Sequence, residues 1–297
     1  MASLKEVRGR IVSVNSTQQI TKAMKMVSAA KLRRAQDNII KIRPYADKLN
    51  GILNNITATL DVNADNPFSV ERTPAKILIV VITSDRGLAG AFNSNVFKRT
   101  QVLINNDYAS QLAAGNVTIL TIGKKGLDFF GKKMIPMITS FATTFQNLTF
   151  DNARAAAEFV MNGFLKGDYD KVDLVYNEFR NVATQIIRVN NFLPLKDLSS
   201  LSQDFSNNSP TVDYIFEPTK EQIVRELIPK SLKIQFYKSL LESNASEHGA
   251  RMTAMDKATE NAKELLKELK LTYNRTRQAA ITKEILEIVG GAEALNG

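Results

Sequence analysis

Few residues in this 297-residue chain have the type and spacing to do chemistry. The segment TSDRGLAGAFN (83–93) follows an apolar run and precedes a helical pattern, the place where glycine-rich loops cradle phosphate. It fits neither GxGxxG nor GxxxxGK followed by Ser or Thr, so it reads as a tight structural or partner-contacting turn. GKKG (123–126) is a weaker version of the same signal. Asp85 and Arg86 are an acid and an electrophile with no identifiable catalytic partner. His248, the only histidine, lies in a polar helical stretch and reads as a surface or interface side chain rather than a metal ligand. Cysteine is absent, which excludes disulfides, thiolate metal sites and a cysteine nucleophile. No catalytic, cofactor or metal site is expected.

Charge is the stronger signal. Residues 1–60 hold 11 basic and 3 acidic side chains, a net +8 within a chain total of +9. Lys22, Lys25, Lys31, Arg33 and Arg34 form its centre. Such a stripe suits an acidic partner, either nucleic acid, anionic lipid or an acidic protein surface. The basic, acid-poor start also resembles a transit peptide, but the helical pattern continues beyond any cleavage point.

The elements that would carry these residues follow from hydrophobic period. Leu32, Ala35, Ile39, Ile42, Ala46, Leu49, Leu53, Ile56 and Leu60 recur at alternating spacings of three and four. Leu4, Val7, Ile11 and Val14 obey the same rule, and Ile20, Met24 and Val27 continue it with a phase shift. Pro44 is expected to kink this helix without ending it. A second long helix is expected from Thr219, capped with Gln222 three residues on, through Pro229 to Val289, where Gly290 and Gly291 stop it. If the two run antiparallel from a common base, Val27 crosses near Met252 and the first helix is exhausted near residue 275. Small residues around that crossing, including Ser246, Gly249 and Ala250, are expected to permit close helix approach. Ile281, Ile285, Ile288 and Val289 then form an apolar stripe that needs a partner.

Between the helices, KILIVVI (76–82), VTILTI (117–122) and KVDLVY (171–176) read as buried strands, with helices over 93–113 and 151–165. The expected architecture is α/β: a long antiparallel coiled coil of terminal helices plus a central, small, mostly parallel, Rossmann-like sheet domain. The expected divisions are 1–60 and 219–297 for the helices, 75–198 for the α/β domain, and 199–218 for a polar linker containing SSLSQDFSNNSP (199–210). The longest unbroken apolar run, 77–82, is far short of the roughly 20 residues that span a bilayer.

RIVSVNSTQQITKAMKMVSAAKLRRAQ (10–36), SDRGLAGAFNSN (84–95), SEHGARMTAMDKATENAKELL (246–266) and YNRTRQAAITKEILEIVGGAEAL (273–295) together resemble the gamma-subunit family of F-type ATP synthases, most like bacterial members. Ala89 stands where many members carry cysteine, and the cysteine-bearing insert of chloroplast members is missing. The resemblance implies a non-catalytic central-stalk rotor. It would turn inside a ring of three alpha and three beta subunits and join the epsilon subunit and the membrane ring of c subunits. It would couple proton flow to ATP synthesis and hydrolysis and affect ATPase regulation. Carried over position by position, it implies beta-subunit contacts for Met24, Arg251, Arg277, Gln278 and Thr282, and an apolar sleeve around Ile281, Ile285 and Ile288. It implies no cofactor, no nucleic acid, no direct membrane insertion, and a peripheral place on the cytoplasmic face of the bacterial inner membrane.

Overall fold

The computed structural model describes residues 3–57, 66–182, 184–195 and 219–296. The expected linker over 199–218 lies outside them. The elements in order are α1 (Leu4–Thr57), β1 (Ile77–Ile82), α2 (Phe92–Asp107), α3 (Ala109–Ala113), β2 (Val117–Ile122), α4 (Lys124–Phe130), β3 (Met137–Ile138), a 3-10 turn (Thr144–Asn147), α5 (Phe150–Lys166), β4 (Lys171–Phe179), β5 (Gln185–Leu193) and α6 (Lys220–Asn296). The chain divides into two compact units, one of residues 1–28 with 252–297 and one of residues 29–251.

In the larger unit the strands stand in the order β3-β2-β1-β4-β5. The first four run parallel, with Ile79 beside both Ile119 and Asp173, while β5 pairs antiparallel with β4. All six residues of β1 are buried because both faces of the sheet are covered, which is why its sequence is a continuous apolar run. Leu78, Val80 and Ile82 share a core with α5 and with Ile228, Leu232, Phe236, Ala46 and Leu49 of the terminal helices. Ile77, Ile79 and Val81 face the other way, into a core with Val96, Leu103 and Phe130 of α2 and α4.

Three local departures from the expected elements have identifiable causes. The helix expected over 93–113 breaks into α2 and α3 at Tyr108, whose ring turns inward and whose hydroxyl donates to the buried Asp173 carboxylate. Burial and the neighbouring carboxylate together hold the Tyr108 hydroxyl protonated, far above the ordinary tyrosine range. GKKG opens α4: Gly123 has φ of 99°, and the Gly126 amide donates to Thr83 Oγ1 at 2.9 Å. The end of α6 also differs, since the helix passes through Gly290 and Gly291 to Asn296. Glycine costs about 1 kcal/mol in a helix interior, which weakens a helix without terminating it.

Two glycines should therefore respond to alanine with opposite signs. A Cβ on Gly123 would sit 2.1 Å from the Thr83 carbonyl oxygen, in a backbone conformation that L-residues avoid. Gly123→Ala should destabilise the chain by about 3 kcal/mol or more. Gly9 lies within α1 with nothing within 4 Å of such a Cβ, and Gly9→Ala should stabilise by about 0.5–1 kcal/mol. Urea unfolding of the two variants checks both signs.

Candidate partner-binding surface

In the smaller unit the burial pattern of α1 settles the phase of its seam. Val7, Thr21 and Ser28 are buried, and Ile11, Val14 and Gln18 are half-buried between and before them. Spacings of four and three run through these positions and onward to Leu32, Ala35 and Ile39 without interruption. The expected phase shift at Ile20 does not occur. The seam stays in register by using hydroxyl side chains, each with a hydrogen-bond partner. Thr21 Oγ1 donates to the Gln18 carbonyl (3.0 Å), Ser28 Oγ to the Met24 carbonyl (2.8 Å), and Thr259 Oγ1 lies 2.8 Å from Thr21 Oγ1. From α6 the seam receives Met255, Ala262 and Leu266.

The pairing is antiparallel, since Thr21 meets Thr259 and Lys25 Nζ lies 2.5 Å from Asp256 Oδ1. The numbers of facing residues sum to 280 and 281 in these two contacts, against the 279 of the Val27–Met252 expectation. Pairing on this register uses up α1 near residue 276, and every residue from 277 to 292 of α6 is exposed.

Because the polar residues hold the seam, the apolar ones are displaced outward. Val12, Ile20 and Val27, eight and seven residues apart, are exposed at 62%, 58% and 56%, and Met26 is exposed beside them. Lys22 is exposed as well, and Met24 is half-buried. On α6, at 100° per residue, Arg277, Gln278, Ile281, Thr282, Ile285, Ile288 and Val289 fall in a sector of about 140°. Lys283, Glu284 and Glu287 occupy the other side. An exposed helix carrying such a sector presents a surface that fits an apolar sleeve with polar contacts at one rim.

A second arrangement lies in the larger unit, where residues 245–251 of α6 are all buried. Glu247, His248 and Arg251 sit here, each no more than 9% exposed. Arg251 Nη1 pairs with Glu247 Oε1 at 2.6 Å and donates to His248 Nδ1 at 3.3 Å. Its Nη2 donates to the carbonyls of Arg86 (3.1 Å) and Gly87 (3.3 Å). The resemblance implies a direct partner contact for Arg251; in this chain the guanidinium is buried and engaged internally. His248 is likewise no surface side chain. Gly249 packs not against α1 but against the β4–β5 turn, with Phe179 Cε2 3.5 Å from where its Cβ would be.

The loop of residues 83–93 uses its own polar groups. Asn93 Oδ1 accepts from the Ser84 amide (3.0 Å), Ser84 Oγ donates to the Arg86 carbonyl (2.6 Å), and Asp85 Oδ1 accepts from the Lys124 amide (3.2 Å). Asp85 and Arg86 therefore do not face each other across a reaction centre. Groups of three or more side chains able to hold a metal ion are absent among the described residues, and no described helix is long and apolar enough to cross a membrane.

The geometry defines a class: a partner-binding chain whose ends pair as an antiparallel two-helix coil and whose middle is an α/β domain. Residues 3–295 match the family profile described as ATP synthase. The chain is 66% identical to the ATP synthase gamma chain of Cytophaga hutchinsonii and 54% identical to that of Flavobacterium psychrophilum, each over the full length of both chains. Among solved structures it resembles a chain of the central stalk and c-ring of Tetrahymena thermophila mitochondrial ATP synthase. The match has 27% identity and a TM-score of 0.58 over 80% of this chain and 99% of that one. A rotor chain of the Euglena gracilis enzyme, 22% identical, shares the fold with a TM-score of 0.61 over 94% and 98%. The chain belongs to the ATP synthase gamma chain family, the non-catalytic central-stalk rotor subunits of that enzyme.

The Glu247–His248–Arg251 cluster generates a pH dependence. Burial, then the adjacent Arg251 and Lys31, lower the His248 pKa from its ordinary value near 6.5 to about 4. Between those values the unfolded chain binds the proton and the folded chain does not, so stability falls as pH drops from 6.5 towards 4 and levels below it. The loss amounts to about 3 kcal/mol. Burial raises the Glu247 carboxyl while Arg251 opposes it, so this group acts in the contrary sense just above its ordinary value. His248→Gln should remove the histidine part alone, flattening the loss relative to wild type in urea titrations between pH 6.5 and 4.

Proposed function

We propose that this chain couples ion movement through the membrane sector to nucleotide chemistry by turning inside a ring of three alpha and three beta subunits. Its partners in this reading also include an epsilon subunit and the ring of c subunits, and its place is peripheral, on the cytoplasmic face of the bacterial inner membrane. The single observation that supports it most is the exposed sector from Arg277 to Val289, an apolar helical face with no partner within the described chain.

In this reading Ile281, Ile285 and Ile288 turn within an apolar sleeve, where a smooth hydrophobic contact resists tilting without fixing one angle. Arg277, Gln278 and Thr282 meet polar loops of one beta subunit at a time. Met24 and the Val12–Ile20–Val27 face, flanked by lysines, meet acidic lobes lower on the ring. Arg251 acts from within by holding the loop of residues 83–93. Coupling is reciprocal: orientation of the shaft biases nucleotide affinity at the three beta sites, and nucleotide occupancy biases orientation.

The experiment that tests the function is assembly of the purified chain with its alpha and beta subunits into a magnesium-dependent ATPase. A chain that hydrolyses ATP alone, or that binds DNA with a steep salt slope, would contradict it. Arg277→Ala refines the test. Arg277 is exposed, so its truncation should change stability of the isolated chain by no more than about 0.5 kcal/mol. A charge-assisted hydrogen bond contributes about 1.5–3 kcal/mol, so the assembled variant should turn over more slowly and pump less, with normal subunit stoichiometry. Gln278→Ala should act in the same direction more weakly.

A further inference from the structure

Leu88 combines two features that a purely structural turn would avoid. Its φ is +62°, the only positive value at a non-glycine residue among those described, and its side chain is 64% exposed. Glycine or asparagine holds that conformation without the clash a leucine Cβ meets. The neighbouring Gly87 has no positive φ, and a Cβ there would meet nothing within 4 Å. Glycine thus stands where any residue fits, and leucine where glycine would relieve strain.

The backbone on both sides of Leu88 is fixed. Arg251 holds the carbonyls of Arg86 and Gly87, Ser84 holds the Arg86 carbonyl from the other side, and Asn93 Nδ2 donates to Ser84 Oγ at 2.7 Å. After it, Ala89 is buried against Phe92 and Ala250. Strained conformations persist only where the surroundings over-determine them, and they concentrate at sites that bind. The surroundings are basic: Arg86 is exposed beside Leu88, and Lys31 acts electrostatically on both Glu247 and His248.

We propose that Leu88 is a docking knob, held outward in advance of contact, that seats in an apolar notch rimmed by carboxylates on a subunit surrounding the shaft. The apolar side chain supplies the fit, Arg86 and Lys31 select an acidic rim, and the Arg251 latch prevents the knob from folding back when unoccupied. Ordering the knob beforehand removes that cost from each encounter, which suits a contact made and broken repeatedly. This inference rests on the rotor reading for the identity of the complex, while the strain and the latch belong to the chain alone.

The test uses Leu88→Asn, which tolerates the left-handed conformation but is polar, and Leu88→Met, which stays apolar. The isolated Asn variant should unfold at a urea midpoint equal to or above wild type. Assembled with alpha, beta and the membrane sector, it should retain normal stoichiometry but lose about threefold or more of its ATP-driven proton pumping. The Met variant should pump close to wild type. Wild-type pumping by the Asn variant, or a Met variant as defective as Asn, would overturn the docking role. Failure of the wild-type chain to form an ATPase would instead overturn the rotor reading beneath it.

Discussion

The antiparallel seam between α1 and α6 is the constraint on which the surface chemistry depends. A heptad seam has one phase, and whichever residues occupy it, their neighbours at other positions must face outward. Here Thr21 and Ser28 occupy it, so Ile20 and Val27 cannot. Hydroxyls in the seam are tolerable because each donates along its own helix or across to Thr259, leaving no orphaned donor. The arrangement exchanges some apolar burial within the pair for an apolar face outside it, which is a sensible division in a subunit whose work is done against a surrounding ring.

The same separation of roles appears in the larger unit. The doubly covered sheet gives a rigid core, and α6 crosses that unit with residues 245–251 buried all round. A buried Arg251–Glu247 pair is weak evidence for stability, because removing two charges from water offsets most of their attraction. Its geometric contribution is clearer: the guanidinium fork fixes α6 to two carbonyls of one loop, so displacement of the helix about its axis displaces the loop. Small side chains at Ala89 and Ala250 let the two elements approach.

Much of this was legible in the sequence, for reasons particular to each element. The buried strands announced themselves because two covered faces demand unbroken apolar runs such as ILIVVI. The antiparallel register followed from chain lengths alone, and Pro44 sits inside a continuous helix as its in-phase flanks required. The phase of the seam was misread because the reading followed apolar residues, while the helix follows geometry and accepts Thr and Ser where they can bond locally. Strand β5 was missed because its burial is partial and its pairing is with β4 only, so QIIRVNNFL carries no unbroken apolar signal. The burial of His248 and Arg251 was invisible because it arises from loop carbonyls more than 160 residues away in the chain. The glycine motifs at 87–90 and 123–126 were correctly denied a phosphate, yet only the Thr83 contact explains why position 123 requires glycine.

The chain has no native cysteine, so engineered pairs report the seam without interference. The decisive measurement compares disulfide formation under mild oxidation in two double variants of the full chain, Thr21→Cys with Thr259→Cys and Val27→Cys with Met252→Cys. Rapid, near-complete closure of the first pair and little of the second is the result an in-phase polar seam predicts, since the Thr21 and Thr259 hydroxyl oxygens are 2.8 Å apart and Val27 faces outward. Efficient closure at Val27–Met252 with none at Thr21–Thr259 would place Ile20 and Val27 in the seam and contradict the account.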